Sequence, residues 1–78
     1  KPVFLDFWSL SCKACKQMET KVFPRTEVAA RLGDFVFAGV QTDLEDREDV
    51  AWAVETFAIK GLPTYIVLVP KPSSTESP

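Results

Sequence analysis

The stretch VFLDFWSLSCKACK (Val3–Lys16) decides how this chain is read. Its first six residues, Val3–Trp8, are an apolar run of β-formers broken only by Asp6. A strand covered on both faces loses the alternation of polar and apolar residues, so the run predicts a buried central strand. Ser9 and Ser11 follow, with hydroxyls suited to capping a helix. Residues 12–22 predict that helix. Ala14, Met18 and Val22 fall at i, i+4 and i+8, and Cys15 shares the side of Met18 and Val22. Cys12 and Cys15 are the only two cysteines in the chain, and they stand where strand gives way to helix.

Downstream, Thr26–Leu32 predicts a second helix with Thr26 as N-cap and Gly33 as its C-terminal glycine. Residues 35–41 (FVFAGVQ) predict a second strand. The acidic run at 43–49 (DLEDRED) reads as a solvated loop entering a helix, where carboxylates favour the positive end. It lacks the glycine and ligand spacing of a calcium loop. Residues 50–59 predict a third helix with Val50, Ala53, Val54 and Phe57 on its inner stripe. Trp52 falls off that stripe, as a half-exposed residue, a residue beneath another element, or a partner contact. Residues 61–64 (GLPT) signal a turn, and 65–69 (YIVLV) a third strand. Residues 71–78 (KPSSTESP) read as a flexible tail or linker, which leaves a domain at 1–70. The order β-α-α-β-α-β argues an α/β layer fold.

Composition sets outer bounds. A chain of 78 residues is one domain at most, and one this short buries only about 60–65% of its unfolded surface. Hydrophobic residues make up 46% and charged residues 26%, the balance of an ordinary globular domain. The net charge is −2 with scattered basic residues, so no electrostatic footprint for nucleic acid is present. No apolar run approaches the ~20 residues that a transmembrane helix needs.

The cysteines admit three readings. A structural zinc site wants four ligands, and this chain has two cysteines and no histidine. Metal would need a second chain or two carboxylates. A structural staple would close so short a loop that little chain entropy is removed. A redox pair fits the position best. At the start of a helix, free N–H groups and the macrodipole favour a Cys12 thiolate, and Lys13 and Lys16 add positive charge. Cys15 lies one turn deeper and suits the second attack on a mixed disulfide. Two acids oppose the thiolate. Burial would raise the pKa of Asp6 within its apolar strand. Glu19 is four residues beyond Cys15 and projects from the same helical face. Either acid could carry a proton to or from Cys15.

Asp6-Phe7-Trp8, Cys12-Lys13-Ala14-Cys15-Lys16 and Gly61-Leu62-Pro63-Thr64 together resemble the thioredoxin superfamily. KPVFLDFW, CKACKQMETKVF, TEVAARL and GLPTYIVLV are similar to the branch formed by the C-terminal periplasmic domains of the DsbD thiol:disulfide interchange proteins. The resemblance implies a thioredoxin-like α/β fold. Its three-stranded mixed sheet would have the order 2-1-3, with the first two strands parallel and the third antiparallel to the central one. It implies Cys12 as nucleophile, Cys15 as resolving cysteine, and Asp6 and Glu19 as the acids flanking the pair. Pro63 would be a cis-proline facing the cysteines. Leu62 would offer its backbone to substrate as an added strand edge, with Trp8, Lys13 and Ala14 completing the substrate surface. It implies a reductase that passes electrons to protein disulfides, with no cofactor beyond the Cys12–Cys15 pair. The donor would be a membrane-embedded domain of the same longer protein, and the compartment periplasmic or extracytoplasmic.

Two departures stand out. The branch commonly has Trp before the first cysteine, where this chain has Ser11, so part of the apolar rim is missing. Elements that normally precede KPV and follow YIVLV are also absent, which predicts an excerpt of a longer protein with one open sheet edge and one thinly covered face. A general thioredoxin-like oxidant or isomerase is the alternative within the class. A non-catalytic interaction module that uses Trp52 and the open edge is the alternative outside it.

Overall fold

The computed structural model describes residues 1–70. The predicted tail at 71–78 lies outside the described residues. Strand β1 (Val3–Trp8) is central, paired in parallel with β2 (Val36–Gln41) and antiparallel with β3 (Thr64–Leu68), giving the expected order β2-β1-β3. Helices α1 (Lys13–Gln17), α2 (Thr26–Leu32) and α3 (Glu48–Thr56) connect the strands, and a π-helical segment, Met18–Val22, continues α1.

Register separates the two faces of the sheet. Phe7 lies opposite Val40 and Thr64. It is fully buried, with the ring of Phe57 from the end of α3 at 6.1 Å. Val50 and Ala53, one turn apart on α3, are buried as the inner stripe predicts. The other face carries Phe4, whose ring meets Phe23 (6.4 Å), Phe35 (5.9 Å), Phe37 (5.4 Å) and Tyr65 (5.4 Å). Edge-to-face and offset pairs of this kind add about 0.5–1.5 kcal/mol each beyond area burial. Trp52 is 64% exposed and rests edge-on against Phe57 at 6.3 Å.

Several boundaries differ from the sequence expectation, each for a local reason. The first helix begins at Lys13, and Cys12 is its N-cap in place of Ser9 or Ser11. The two serine hydroxyls bond one another instead, at 3.3 Å. The helix also changes type, with the Phe23 N–H reaching the Met18 carbonyl at 2.8 Å. Of the predicted stripe, Cys15 is buried and Met18 and Val22 are half-buried, while Ala14, upstream of the π turn, is exposed. Arg25, not Thr26, occupies the N-cap of α2. Gly33 closes that helix in the right-handed region (φ −62°), so no left-handed cap is made there. Strand β2 starts one residue late because the Phe35 N–H is taken by a turn bond to the Leu32 carbonyl. Strand β3 is shifted one residue earlier than predicted.

Helix α3 also starts and stops earlier than the apolar stripe suggests. Glu48 and Asp49 fill its first turn, and an Asp49 carboxylate oxygen accepts the Val50 N–H at 2.8 Å. At the other end Ala58 adopts φ 51°. The Ile59 N–H donates to the Val54 carbonyl and the Ala58 N–H to the Glu55 carbonyl, the paired bonds of a Schellman motif. This position is usually glycine, because an L side chain is strained in the left-handed region. Ala58→Gly is therefore expected to raise stability by about 0.5–1 kcal/mol, after the added freedom of the unfolded chain is set against the relieved strain. Urea unfolding of the two proteins checks it, and a loss of stability would contradict the assignment.

Candidate active site

Cys12 and Cys15 form a disulfide with their Cα atoms 5.2 Å apart. The two sulfurs sit in unlike surroundings. Cys12 precedes the helix in extended geometry and is half-buried, while Cys15 is within the first turn and only 3% exposed. The Cys15 N–H donates to Cys12 Sγ at 3.1 Å, so a backbone donor of the helix start is already aimed at the outer sulfur. Lys13, Ala14 and Lys16 around the pair are exposed.

The strand before the pair supplies Asp6 and Trp8. Asp6 lies on the face of Phe4, is 4% exposed, and its Oδ1 has no hydrogen-bond partner. Burial, and secondarily the charge of Glu19, hold its carboxyl above the ordinary value. Glu19 is exposed on the π-helical segment. Trp8 is half-buried, and its carbonyl accepts both the Thr42 N–H (2.8 Å) and the Thr42 hydroxyl (3.1 Å). Its indole lies over Gly39, where an added Cβ would stand only 3.2 Å from Nε1.

The Leu62–Pro63 peptide is cis. Both residues are half-buried, and they lead into β3 next to Thr64, the register partner of Phe7. Cis turn, Trp8 and cysteine pair thus share one end of the sheet.

Two residues at this end went unremarked in the sequence. Tyr65 is the register partner of Asp6, and directly opposed side chains on one sheet face approach within about 5 Å at Cβ. Burial first, then the charges of Asp6 and Glu19, push its phenol upward. Its place follows from the pairing of β1 with β3, which local sequence does not carry. Leu10 is 62% exposed in the turn before Cys12. An isolated leucine between two serines is the one signal it leaves in the sequence. Among the described residues no group of three or more metal-ligating side chains comes together, and no helix is long and apolar enough to cross a membrane.

The raised Asp6 carboxyl has a definite consequence for stability. The folded protein holds the Asp6 proton more tightly than the unfolded chain. The contribution of this group is full below the ordinary carboxyl value of 3.8 and is lost as pH rises through the higher folded value. Asp6→Asn removes that dependence. The variant is expected to be more stable than the parent at pH 7, on the order of 1 kcal/mol, and the advantage should shrink toward pH 3. Denaturant unfolding of both oxidised proteins from pH 3 to 8 checks this. A pH-independent difference would place Asp6 in water.

No protein-family model matches the chain. It is 36% identical over 66 residues to the thiol:disulfide interchange protein DsbD of Salmonella typhimurium and to that of Salmonella paratyphi A. It is 35% identical over 66 residues to DsbD of Escherichia coli K12. Each match covers 85% of this chain, and the chain spans 12% of the length of these relatives. The solution structure of a thioredoxin from Thermus thermophilus matches it with a TM-score of 0.76 and 32% identity, over 91% of this chain and 53% of that one. The chain has the thioredoxin-like fold, and its sequence is similar to a segment of DsbD.

Proposed function

We propose that this chain is a thiol–disulfide oxidoreductase domain that works in the reducing direction on protein disulfides. The observation that carries the reading is the asymmetry of the Cys12–Cys15 pair. One sulfur is reachable, the other is buried one turn deeper, and a buried unpartnered carboxyl lies on the strand that leads to them.

In the reduced protein the Cys12 thiolate attacks one sulfur of a partner disulfide. The partner's S–S bond breaks, a Cys12–partner disulfide forms, and the second partner sulfur leaves as a thiolate that takes a proton. Cys15 then gives up its proton and attacks Cys12 Sγ. The intramolecular disulfide forms and the partner departs as a dithiol. Two electrons and two protons have moved to the partner, and the cysteines themselves are the electron carrier.

In this reading Asp6 accepts the Cys15 proton, since a carboxyl held above its ordinary value is a better base near neutral pH. Glu19 supports it by charge. In this reading Leu62 offers backbone to the partner as an added strand, and Pro63, Trp8, Lys13 and Ala14 complete the substrate surface. The likeness to DsbD supports a donor dithiol in a membrane-embedded domain of a longer protein, and a periplasmic site of action.

A Cys15→Ser variant is expected to accumulate a mixed disulfide through Cys12, visible on non-reducing gels and lost with dithiothreitol. Cys12→Ser should trap nothing, because the remaining sulfur is buried. Equal trapping by both variants would remove the assignment of roles. A pair potential near that of thioredoxin, ~−270 mV, supports an electron donor, whereas one near ~−120 mV would make the domain an oxidant.

A further inference from the structure

Leu10 stands apart from the other exposed apolar residues. Val36, Phe37, Val67 and Leu68 lie on the two outer strands, Val69 directly follows β3, Trp52 lies on α3, and Leu44 lies in the connection after β2 with only 39% of its surface open. Leu10 instead projects from the turn between Trp8 and Cys12, with 62% of its surface open. One residue, Ser11, separates it from Cys12, a reach of at most about 7 Å between Cα atoms.

The turn that carries it is tied down on both sides. The Cys12 N–H donates to the Ser9 carbonyl at 3.2 Å, which makes Leu10 and Ser11 the two central residues of a four-residue turn. Ser9 is buried and its hydroxyl bonds that of Ser11 at 3.3 Å. Just upstream, Thr42 holds the Trp8 carbonyl with two bonds. A leucine presented by such a turn contributes little to the core, because most of its surface stays in water. Its ordering is already met by the fold, so its apolar surface is available to a partner at small entropic cost.

We propose that Leu10 is a specificity-determining contact for disulfide exchange, meeting an apolar side chain beside the partner's reactive cysteine. The inference rests on the exchange reading above. It gives the site an apolar surface on the Cys12 side, where Ser11 provides none. The exposed Lys13, between the two cysteines, and Lys16, just after them, lie on α1 and not on the Leu10 side, so the recognised partner segment is apolar next to its cysteine on the Leu10 side.

The test uses the full chain, reduced beforehand with dithiothreitol and freed of it. Its oxidation is timed by two peptide disulfides that differ only in a Leu or a Ser beside the cysteine, and by bis(2-hydroxyethyl) disulfide. The parent is expected to prefer the Leu peptide. Leu10→Ser should lower the rate constant on that peptide about tenfold, the usual scale for losing a methylene-sized apolar contact or more, with little change on the other two. Leu10→Met should restore the preference, and the pair potential should not move in either variant. A Leu10→Ser protein that keeps the parental preference, or slows equally on all three disulfides, overturns the proposal. A parent that is oxidised by none of them overturns the exchange reading itself.

Discussion

Everything at the active end of this protein depends on β1 being hydrogen-bonded on both sides. A strand with two partners has no freedom to slide. A shift of one residue would carry Phe7 out of the core and bring Asp6 into the layer beneath α3. Pairing with β2 and β3 at once fixes Phe7 against Phe57 on one face and Asp6 against Tyr65 on the other. The same constraint fixes where β1 ends, and therefore where the turn to Cys12 begins. The chemistry proposed for the cysteines needs one accessible sulfur, one sheltered sulfur and a carboxyl kept from water. All three follow from the end of one strand and the first turn of one helix.

Much of this was legible in residues 3–16. The unalternating run Val3–Trp8 predicted a buried central strand, and β1 is central, with Asp6 and Phe7 buried and its other residues half-buried. Asp6 within that run predicted a buried acid, and it is 4% exposed. Val50, Ala53 and Phe57 marked the inner side of α3 because their spacing follows directly from helix geometry. What escaped was non-local or one residue fine. The opposition of Tyr65 to Asp6 is a fact of register between strands nearly sixty residues apart. The left-handed Ala58 and the capping sulfur of Cys12 run against residue preferences, which name glycine and serine for those tasks.

The likeness to DsbD and the thioredoxin-like fold bear on different parts of the molecule. The fold accounts for the sheet, the cysteine pair at the strand–helix junction and the cis turn beside it. The departures lie in the approach to the pair. Ser9-Leu10-Ser11 gives this chain a polar turn with one aliphatic side chain, where the branch commonly places an aromatic residue before the cysteine. A domain can keep its exchange chemistry while its approach surface changes, because the buried parts that set the chemistry and the exposed parts that meet a partner lie on different residues.

The π-helical segment Met18–Val22 lets one helix serve two centres. Upstream of it α1 holds the buried Cys15, and at its downstream end Phe23 meets Phe4, Phe37 and Tyr65. Removing one residue from that segment would restore ordinary α-helical spacing and turn all that follows by about 100°, swinging Phe23 away from the aromatic cluster. Apart from Glu19, the side chains of the segment that face water can vary, but its length cannot. Across related proteins this should be a stretch rich in substitutions and poor in gaps.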